Sequence, residues 1–552
     1  MKNNNLFFFL FLPLFILTTA HAQSTYNQVY NLFQANCTVG CHSGTSPSGN
    51  LNLGADTTTV YANLINVNPI NPAALAAGNK LIVPGNPHYS FLLRKCLNGL
   101  DPDAAITQAE GDPMPNNTTP LPKNKIELIR QWILHGAPQT GVVVDTALIN
   151  TFYRGKGIIG ISTPPPAVTV PGTYRVHLGK IFLAPNSESE YFIKQDLKLP
   201  DTLQVNRIDM EMAPQSHHFI IYKILPGFAG YFPEGLRLQN PLTGANSSNG
   251  YNTLVCAWQT NYNDILPTGT AYSWEKSTVL DLNYHIRNSN MDSVLGVDVY
   301  FDYYTQPKNT PVNIMYSELL MNTQIAIPAN NQPFTFTHAN FDPTAMNNWN
   351  IWLLSSHTHK YGTEFQIFLR NPDGSQGTQV FEGFYDTFYN FNQGYYDWEH
   401  PPVEHFNPML TINPRNGMIQ KATYKNTGTT PVTFGLTTKD EMMLFFVQYT
   451  LGSSLEGIHD PVLNKAQLTI YPNPFTKNTQ LNYTLTEDSK VQLDIFNMIG
   501  EKVASPISNI QQSPGAYNFN LNSEEYHLSN GIYLIKLSVN GENSMQKILL
   551  SN

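Results

Sequence analysis

From about residue 170 to 455, apolar and polar positions alternate in short runs broken by turn signals such as "NPDG" and "NPRNG". A period of two, with Asn, Pro and Gly between the runs, predicts short strands joined by tight loops, enough for two β-sandwiches in tandem. Ahead of this region the period changes. In "LPKNKIELIRQWILHGAP" the residues Ile126, Ile129, Trp132 and Ile133 recur at helical spacing, and Gly136 followed by Pro138 ends the helix. The stretch from 460 alternates again in "VQLDIFNMIGEKV" and "GIYLIKLSV". No short internal repeat is present. The expected fold is mainly β: jelly-roll-like sandwiches at 171–305 and 306–456, a small α-helical domain at 23–140 before them, and a small β-sandwich at 460–552 after them. The proline run "STPPPAVTVPG" closes a linker at 141–170.

The first residues follow another pattern. "MKNNN" is a short positive start, "LFFFLFLPLFIL" an apolar core, and Ala20-His21-Ala22 a small-x-small cleavage site. Residues 1–22 therefore read as a secretory signal peptide cut before Gln23. The run is too short to span a bilayer, and no later segment reaches the ~18 apolar residues that spanning requires. The mature chain is expected to be exported and to carry no transmembrane anchor.

At 552 residues the chain exceeds a single core, and its length implies roughly three or four domains. The net charge is −9 and only 13% of residues are charged, with Lys and Arg scattered; nucleic acid is thereby excluded as a partner. Four cysteines (Cys37, Cys41, Cys96 and Cys256) rule out a dense disulfide framework. Cys96 and Cys256 either pair or stay free.

"CTVGCH" supplies two thiols and an adjacent imidazole, the groups that covalent haem needs for its vinyl carbons and its iron. The spacing between Cys37 and Cys41 is one residue longer than the usual Cys-x-x-Cys-His, and a plain Cys37–Cys41 disulfide stays open on residues alone. Met114, set between prolines in "GDPMPNN", is a thioether on a loop. The module "NCTVGCHSG … LNLG … IVPGNPHYSFLLRK … DPMP … IELIRQWILHGAP" resembles small cytochrome c domains fused to bacterial exported proteins. The resemblance implies haem c attached at Cys37 and Cys41, with His42 as proximal and Met114 as distal ligand.

Histidines gather beside the predicted strands. "APQSHHFIIYKI" carries His217 and His218, "VLDLNYHIRN" carries His285, and "SSHTHKYG" carries His357 and His359 behind the apolar run "WNIWLL". "KDEMMLFFVQY" adds Met442 and Met443 at the head of a last strand. Residues i and i+2 share a strand face, so His357 and His359 are expected to point together. Neighbours such as His217 and His218 share one metal only at a strand end or a bulge, or through differing rotamers. Imidazole with thioether suits copper, and imidazole alone suits copper or zinc. The ordered set of His-His, "VCAWQTNYNDILPTGTAYSW", a single His, His-Thr-His and Asp-Glu-Met resembles the copper type II, ascorbate-dependent monooxygenases, the peptide-amidating and dopamine-hydroxylating family. That likeness covers about 170 to 455 and implies two copper ions. His217, His218 and His285 would hold the electron-transferring ion, and His357, His359 and Met442 the oxygen-binding one, with Met443 the neighbour one register away. Each ion would sit in its own sandwich across a water-filled cleft. Peptide-amidating members carry an arginine two residues before the His-Thr-His motif; Ser355 stands there, which argues against peptidyl-glycine as substrate. Structural roles are expected for His177, His338, His400 and His405, the last two in the proline-bearing "DWEHPPVEHF".

The tail, "KAQLTIYPNPFTKNTQLNYTL" through "GIYLIKLSV" to "QKILLSN", resembles the C-terminal sorting domain of type IX secretion. It implies passage through the periplasm and across the outer membrane, to the surface or the medium, in the hands of that secretion machinery. The combined expectation is an exported copper monooxygenase acting on a small-molecule or peptide substrate with a reductant, the haem domain feeding electrons. The rival is a non-catalytic copper- or haem-binding surface protein.

Overall fold

The computed structural model describes residues 23–551 except 117–118, 239–250, 260, 308–309, 311, 384–400, 436, 455–467, 486, 498–500 and 541. The expected signal peptide and His400 lie outside the described residues. The chain divides into two compact units, 1–147 and 148–552.

The first unit is helical, as the 3.6-residue period predicts. Helix Thr25–Asn36 is capped by Ser24, whose side chain accepts from Asn27 N, and Asp56 caps helix Thr57–Leu64 through Thr58 N and Thr59 N. The closing helix runs Lys123–Leu134, and Gly136 then turns the chain with φ +87°. Its apolar stripe packs on the first helix. Trp132 is fully buried, stacks on Tyr26 at 5.5 Å between ring centres, and donates from Nε1 to Pro138 O at 3.0 Å. Full burial of an aromatic ring contributes about 2–3 kcal/mol, so this contact holds the two helices together.

The second unit begins inside the expected linker. Gly157–Ile159 pairs in parallel with Val294–Gly296, so the linker's middle is a strand of the large unit. The first sandwich sets a five-stranded sheet, in the order Arg237–Leu238, Ser187–Asp196, Val279–Asn288, Ser216–Ile224 and Asn252–Trp258, against a sheet containing Leu203–Met212 and Val294–Gln306. Phe219 meets Tyr284 and Phe301 between them. The second sandwich packs Asn313–Met321, Leu444–Ser454, Asn347–His357 and Val403–Ile412 against Pro333–Asn340, Met418–Lys425, Gly362–Arg370 and Gln376–Glu382. Ile351, Leu354, Phe365, Ile367, Phe445 and Val447 fill its core.

The sandwiches are not separate bodies in tandem. Asn313 and Ile314 pair in parallel with Thr270 and Ala271, joining one sheet of each into a single sheet of ten strands. Gln448 Nε2 braces that seam from the second sandwich, donating to Asp264 Oδ2 at 3.0 Å and to Tyr272 OH at 2.6 Å. The tail forms three- and four-stranded sheets around Leu481, Leu493, Ile495, Ile535 and Leu537. Strand Gly531–Val539 alternates buried and half-buried residues along its whole length, as its sequence predicts.

Trp132→Ala should destabilise the helical unit by about 3–5 kcal/mol. Denaturant titration followed by helical circular dichroism tests this. A loss below about 1 kcal/mol would show that the stack is not what closes the unit.

Candidate metal centre

The doublet resolves its own geometric problem. Ser216–Ile224 runs antiparallel to Val279–Asn288 with His285 opposite His218, but the next pair is Ile286 with Ser216. His217 is therefore the extra residue of a bulge, which turns it away from the opposite face it would otherwise take. Ring centres lie 5.4 Å apart for His217 and His218, 4.8 Å for His217 and His285, and 5.0 Å for His218 and His285.

His357 and His359 do not share the face of one regular strand, as their spacing predicts. His357 ends strand Asn347–His357, and His359 lies in the turn that Gly362 N closes onto His359 O at 3.0 Å. The rings still converge, 5.2 Å apart and edge to face. Gly362 is required there, because a Cβ would approach Thr358 Oγ1 to 2.3 Å. The Glu441 carboxylate pins this turn to the head of the last strand, accepting from His359 N at 2.8 Å, Tyr361 N at 2.7 Å and Met442 N at 3.3 Å. Burial pushes that carboxyl up to about 7.

The two ligand sets meet. His217 lies 5.5 Å from His357 and 5.6 Å from His359, and His218 lies 6.2 Å from His357. Candidate ligand atoms of His217, His218 and His285 fall within 4.8 Å of one another, and so do those of His217, His357 and His359. The expected pair of cradles facing across a cleft is thus one cluster of five imidazoles, because the shared sheet brings strand ends from both sandwiches to one place. Met442 lines a cavity of about 1280 Å³ beside His218 and His357. Met443 instead sits fully buried in the core, its sulfur accepting from Asn322 Nδ2 at 3.5 Å. The cavity side of the Met-Met pair is Met442.

Hydrogen bonds to the far side of the rings settle which nitrogens remain for a ligand. His285 Nε2 faces Glu188 Oε1 at 2.7 Å, and His218 Nε2 faces Asn283 Oδ1 at 3.1 Å and Glu190 Oε1 at 3.3 Å. Both rings then present Nδ1, and His285 Nδ1 is buried with no hydrogen-bond partner among the described residues. His359 Nδ1 donates to Asp440 O at 3.0 Å, so that ring presents Nε2, while the Gln259 amide donates to His357 Nδ1 and fixes the orientation of that ring. Burial holds the His217 and His357 imidazoles well below their usual range, lowers His218, and brings His359 to about 4. Burial alone would raise Glu188, but hydrogen bonds from His285 and Thr438 bring its carboxyl down to about 2. Buried imidazoles, several of them oriented by hydrogen bonds, fit copper or zinc.

Glu188, Glu190, Asn283, Gln259 and Glu441 escape a reading for ligands alone. "SESEY" does carry a signal for two of them, since carboxylates two residues apart share a strand face. His177 is structural, stacked on Tyr300 at 4.0 Å with Nε2 on Asp298 Oδ1 at 3.1 Å. His338 lies in strand Pro333–Asn340 opposite Gln420. His405 lines the cavity and meets Tyr262 OH at 3.0 Å.

In the helical unit, Cys37 caps the first helix, Cys41 is exposed, and His42 N donates to Cys37 O at 3.0 Å. His42 Nδ1 donates to Leu51 O at 3.2 Å, leaving Nε2 for a metal. All four thiols are free, so Cys37 and Cys41 do not form a disulfide. Met114 is half-buried, held through its N–H on Lys95 O at 2.6 Å. Two free thiols and one oriented imidazole fit the donor set of haem c.

Residues 469–551 match the model of the secretion system C-terminal sorting domain. The tail is a sorting domain. This sorting domain commits the chain to type IX secretion, across the outer membrane to the cell surface or the medium. Among the described residues no helix is long and apolar enough to cross a membrane. No curated protein matches the chain. Among solved structures, a β-glucuronidase from Faecalibacterium prausnitzii is 10% identical over 40% of this chain and 36% of its own, with TM-score 0.13. A putative β-galactosidase from Bacteroides fragilis is 10% identical over 41% of this chain and 34% of its own, with TM-score 0.13. The chain spans about a third of those proteins.

The depressed histidines set a pH dependence for the metal-free chain. His217, His218, His357 and His359 bind protons less readily folded than unfolded, so their stability contribution is present above pH 6.5 and is lost as pH falls from there toward about 4. Each imidazole contributes a slope of up to about 1.4 kcal/mol per pH unit. Urea midpoints measured between pH 7 and 5 should fall steeply in the metal-free protein. A flat profile would contradict the burial of these rings.

Proposed function

We propose that the chain is an exported copper-dependent monooxygenase that hydroxylates a C–H bond with O2. The observation that carries this reading is the convergence of five imidazoles from both sandwiches, with His218, His285 and His359 each turned by a hydrogen bond to offer one nitrogen. His217, His218 and His285 would hold one copper, and His357, His359 and Met442 the other. Copper supplies O2 binding and one-electron transfer. The balanced reaction takes R–H, O2, two electrons and two protons to R–OH and water. A small reductant of the ascorbate type would supply the electrons; Cys37, Cys41, His42 and Met114 would hold a haem, whose chemistry is one-electron transfer.

The remaining residues have defined tasks. Glu188, Glu190 and Asn283 hold the Nε2 protons of His285 and His218, and the Asp440 carbonyl holds that of His359 Nδ1. Glu441 fixes the turn and Met442 together. The cavity beside His357 takes the substrate against Trp258, stacked on Tyr262 at 3.8 Å. Ser355 donates to Pro402 O at 3.0 Å, and the lining cation Lys223 is tied to Glu275 and Ser273 O. Neither supplies the bidentate clamp that a substrate carboxylate would need, which supports a substrate other than peptidyl-glycine. The second reading, a surface protein that captures copper without turnover, is favoured by the burial of His285 and His359, 2% and 1% exposed.

Oxygen uptake separates the two. Copper-loaded protein with reductant should consume O2 in proportion to an added C–H substrate, whereas a capture protein binds copper without substrate-dependent uptake. Met442→Leu should weaken one copper by about 10-fold or more. Met443→Leu, a volume-conserving core change, should leave copper binding intact and cost under about 1.5 kcal/mol of stability. Reversed effects would move the ligand to Met443. Protein matured in a host that attaches haem c should keep a haem absorbance band after denaturation, and Cys37→Ser with Cys41→Ser should abolish it.

A further inference from the structure

We propose that Glu188 is a strap that holds the two histidine sets in contact, so that they work as one coupled centre rather than two independent ones. The inference rests on the copper reading above. Glu188 lies on strand Ser187–Asp196 of the first sandwich, and its Oε1 accepts from His285 Nε2 at 2.7 Å. The same carboxylate reaches the second sandwich. Thr438 N donates to Oε1 at 3.2 Å, and Thr438 Oγ1 donates to Oε2 at 2.7 Å. Thr438 stands two residues before Asp440, whose carbonyl orients His359, and four before Met442. One side chain therefore fixes a ring in the first set and the loop that aims the second.

A second link runs beside it. Gln259 follows strand Asn252–Trp258 in the first sandwich and meets His357 Nδ1 in the second. Between the two links lies His217, whose ligand atom is within 4.8 Å of those of His218 and His285 and also of those of His357 and His359. Metal ions bound by the two sets would share this imidazole's neighbourhood. A carboxylate accepting three donors is a strong tie, and it joins Thr438 to His285.

The test uses the full chain loaded with Cu(II), with copper counted by mass spectrometry and the integrated electron paramagnetic resonance signal compared with that count. The wild type should bind two coppers and give a signal well below the count, because nearby cupric spins couple. Thr438→Val removes the Oγ1 bond while leaving Glu188 on His285, and should return the signal toward the full count. Thr438→Ser keeps the hydroxyl and should match the wild type. Glu188→Gln should also uncouple the spins and weaken one copper by about 10–100-fold. A full, uncoupled signal from the wild type, or a Thr438→Val signal identical to a coupled wild type, would overturn the strap. Fewer than two coppers on the wild type would overturn the copper reading itself, a separate outcome.

Discussion

Two sandwiches can present side chains to a common site only when something fixes their mutual angle. Loops alone do not, because each added residue of linker frees two backbone dihedrals. Here backbone hydrogen bonds supply the constraint. The parallel pairing of Asn313 and Ile314 with Thr270 and Ala271 makes one sheet out of two, and Gln448 braces the seam against Asp264 and Tyr272. Strand ends that would otherwise be independent, the bulge at His217 and the terminus at His357, then arrive at one place. The chemistry of the centre depends on that pairing before it depends on any ligand.

Burial does the next part of the work. An imidazole removed from water loses its preference for the charged form, so the rings wait as neutral bases. Carboxylates and carbonyls behind them choose the nitrogen. Glu188 and Glu190 serve the first set, and Asp440 O serves the second. A cluster of buried rings in contact is unfavourable to leave dry, since His285 Nδ1 has no hydrogen-bond partner among the described residues. Under the proposed function a bound cation would remove that cost.

The sorting domain sets the conditions in which this centre works. Carried across the outer membrane, the chain is separated from cytoplasmic reductants. Under the proposed function an electron source on the same chain would have value there, and the free thiols of Cys37 and Cys41 beside His42 are the groups that would hold one.

Local period and turn chemistry were enough to read the helix at Lys123–Leu134, the mainly β body and the alternating tail strands, because those features follow from neighbouring residues. The histidines that gather in the cluster were also legible, since imidazoles beside apolar runs stand out. Sequence alone could place His217 at a bulge or a strand end, but only the pairing of His285 with His218 and Ile286 with Ser216 chose the bulge. Likewise the resemblance chose Met442 with Met443 one register away, and only the structure shows Asn322 and the core claiming the second. The merger of two expected cradles into one cluster, and the tie from Glu188 to Thr438, 250 residues onward, were invisible. Such contacts join segments that share no local pattern. The sequence determined which groups this protein brings and what each strand can carry; tertiary structure decided which groups meet, because meeting is set by sheet pairing between distant segments.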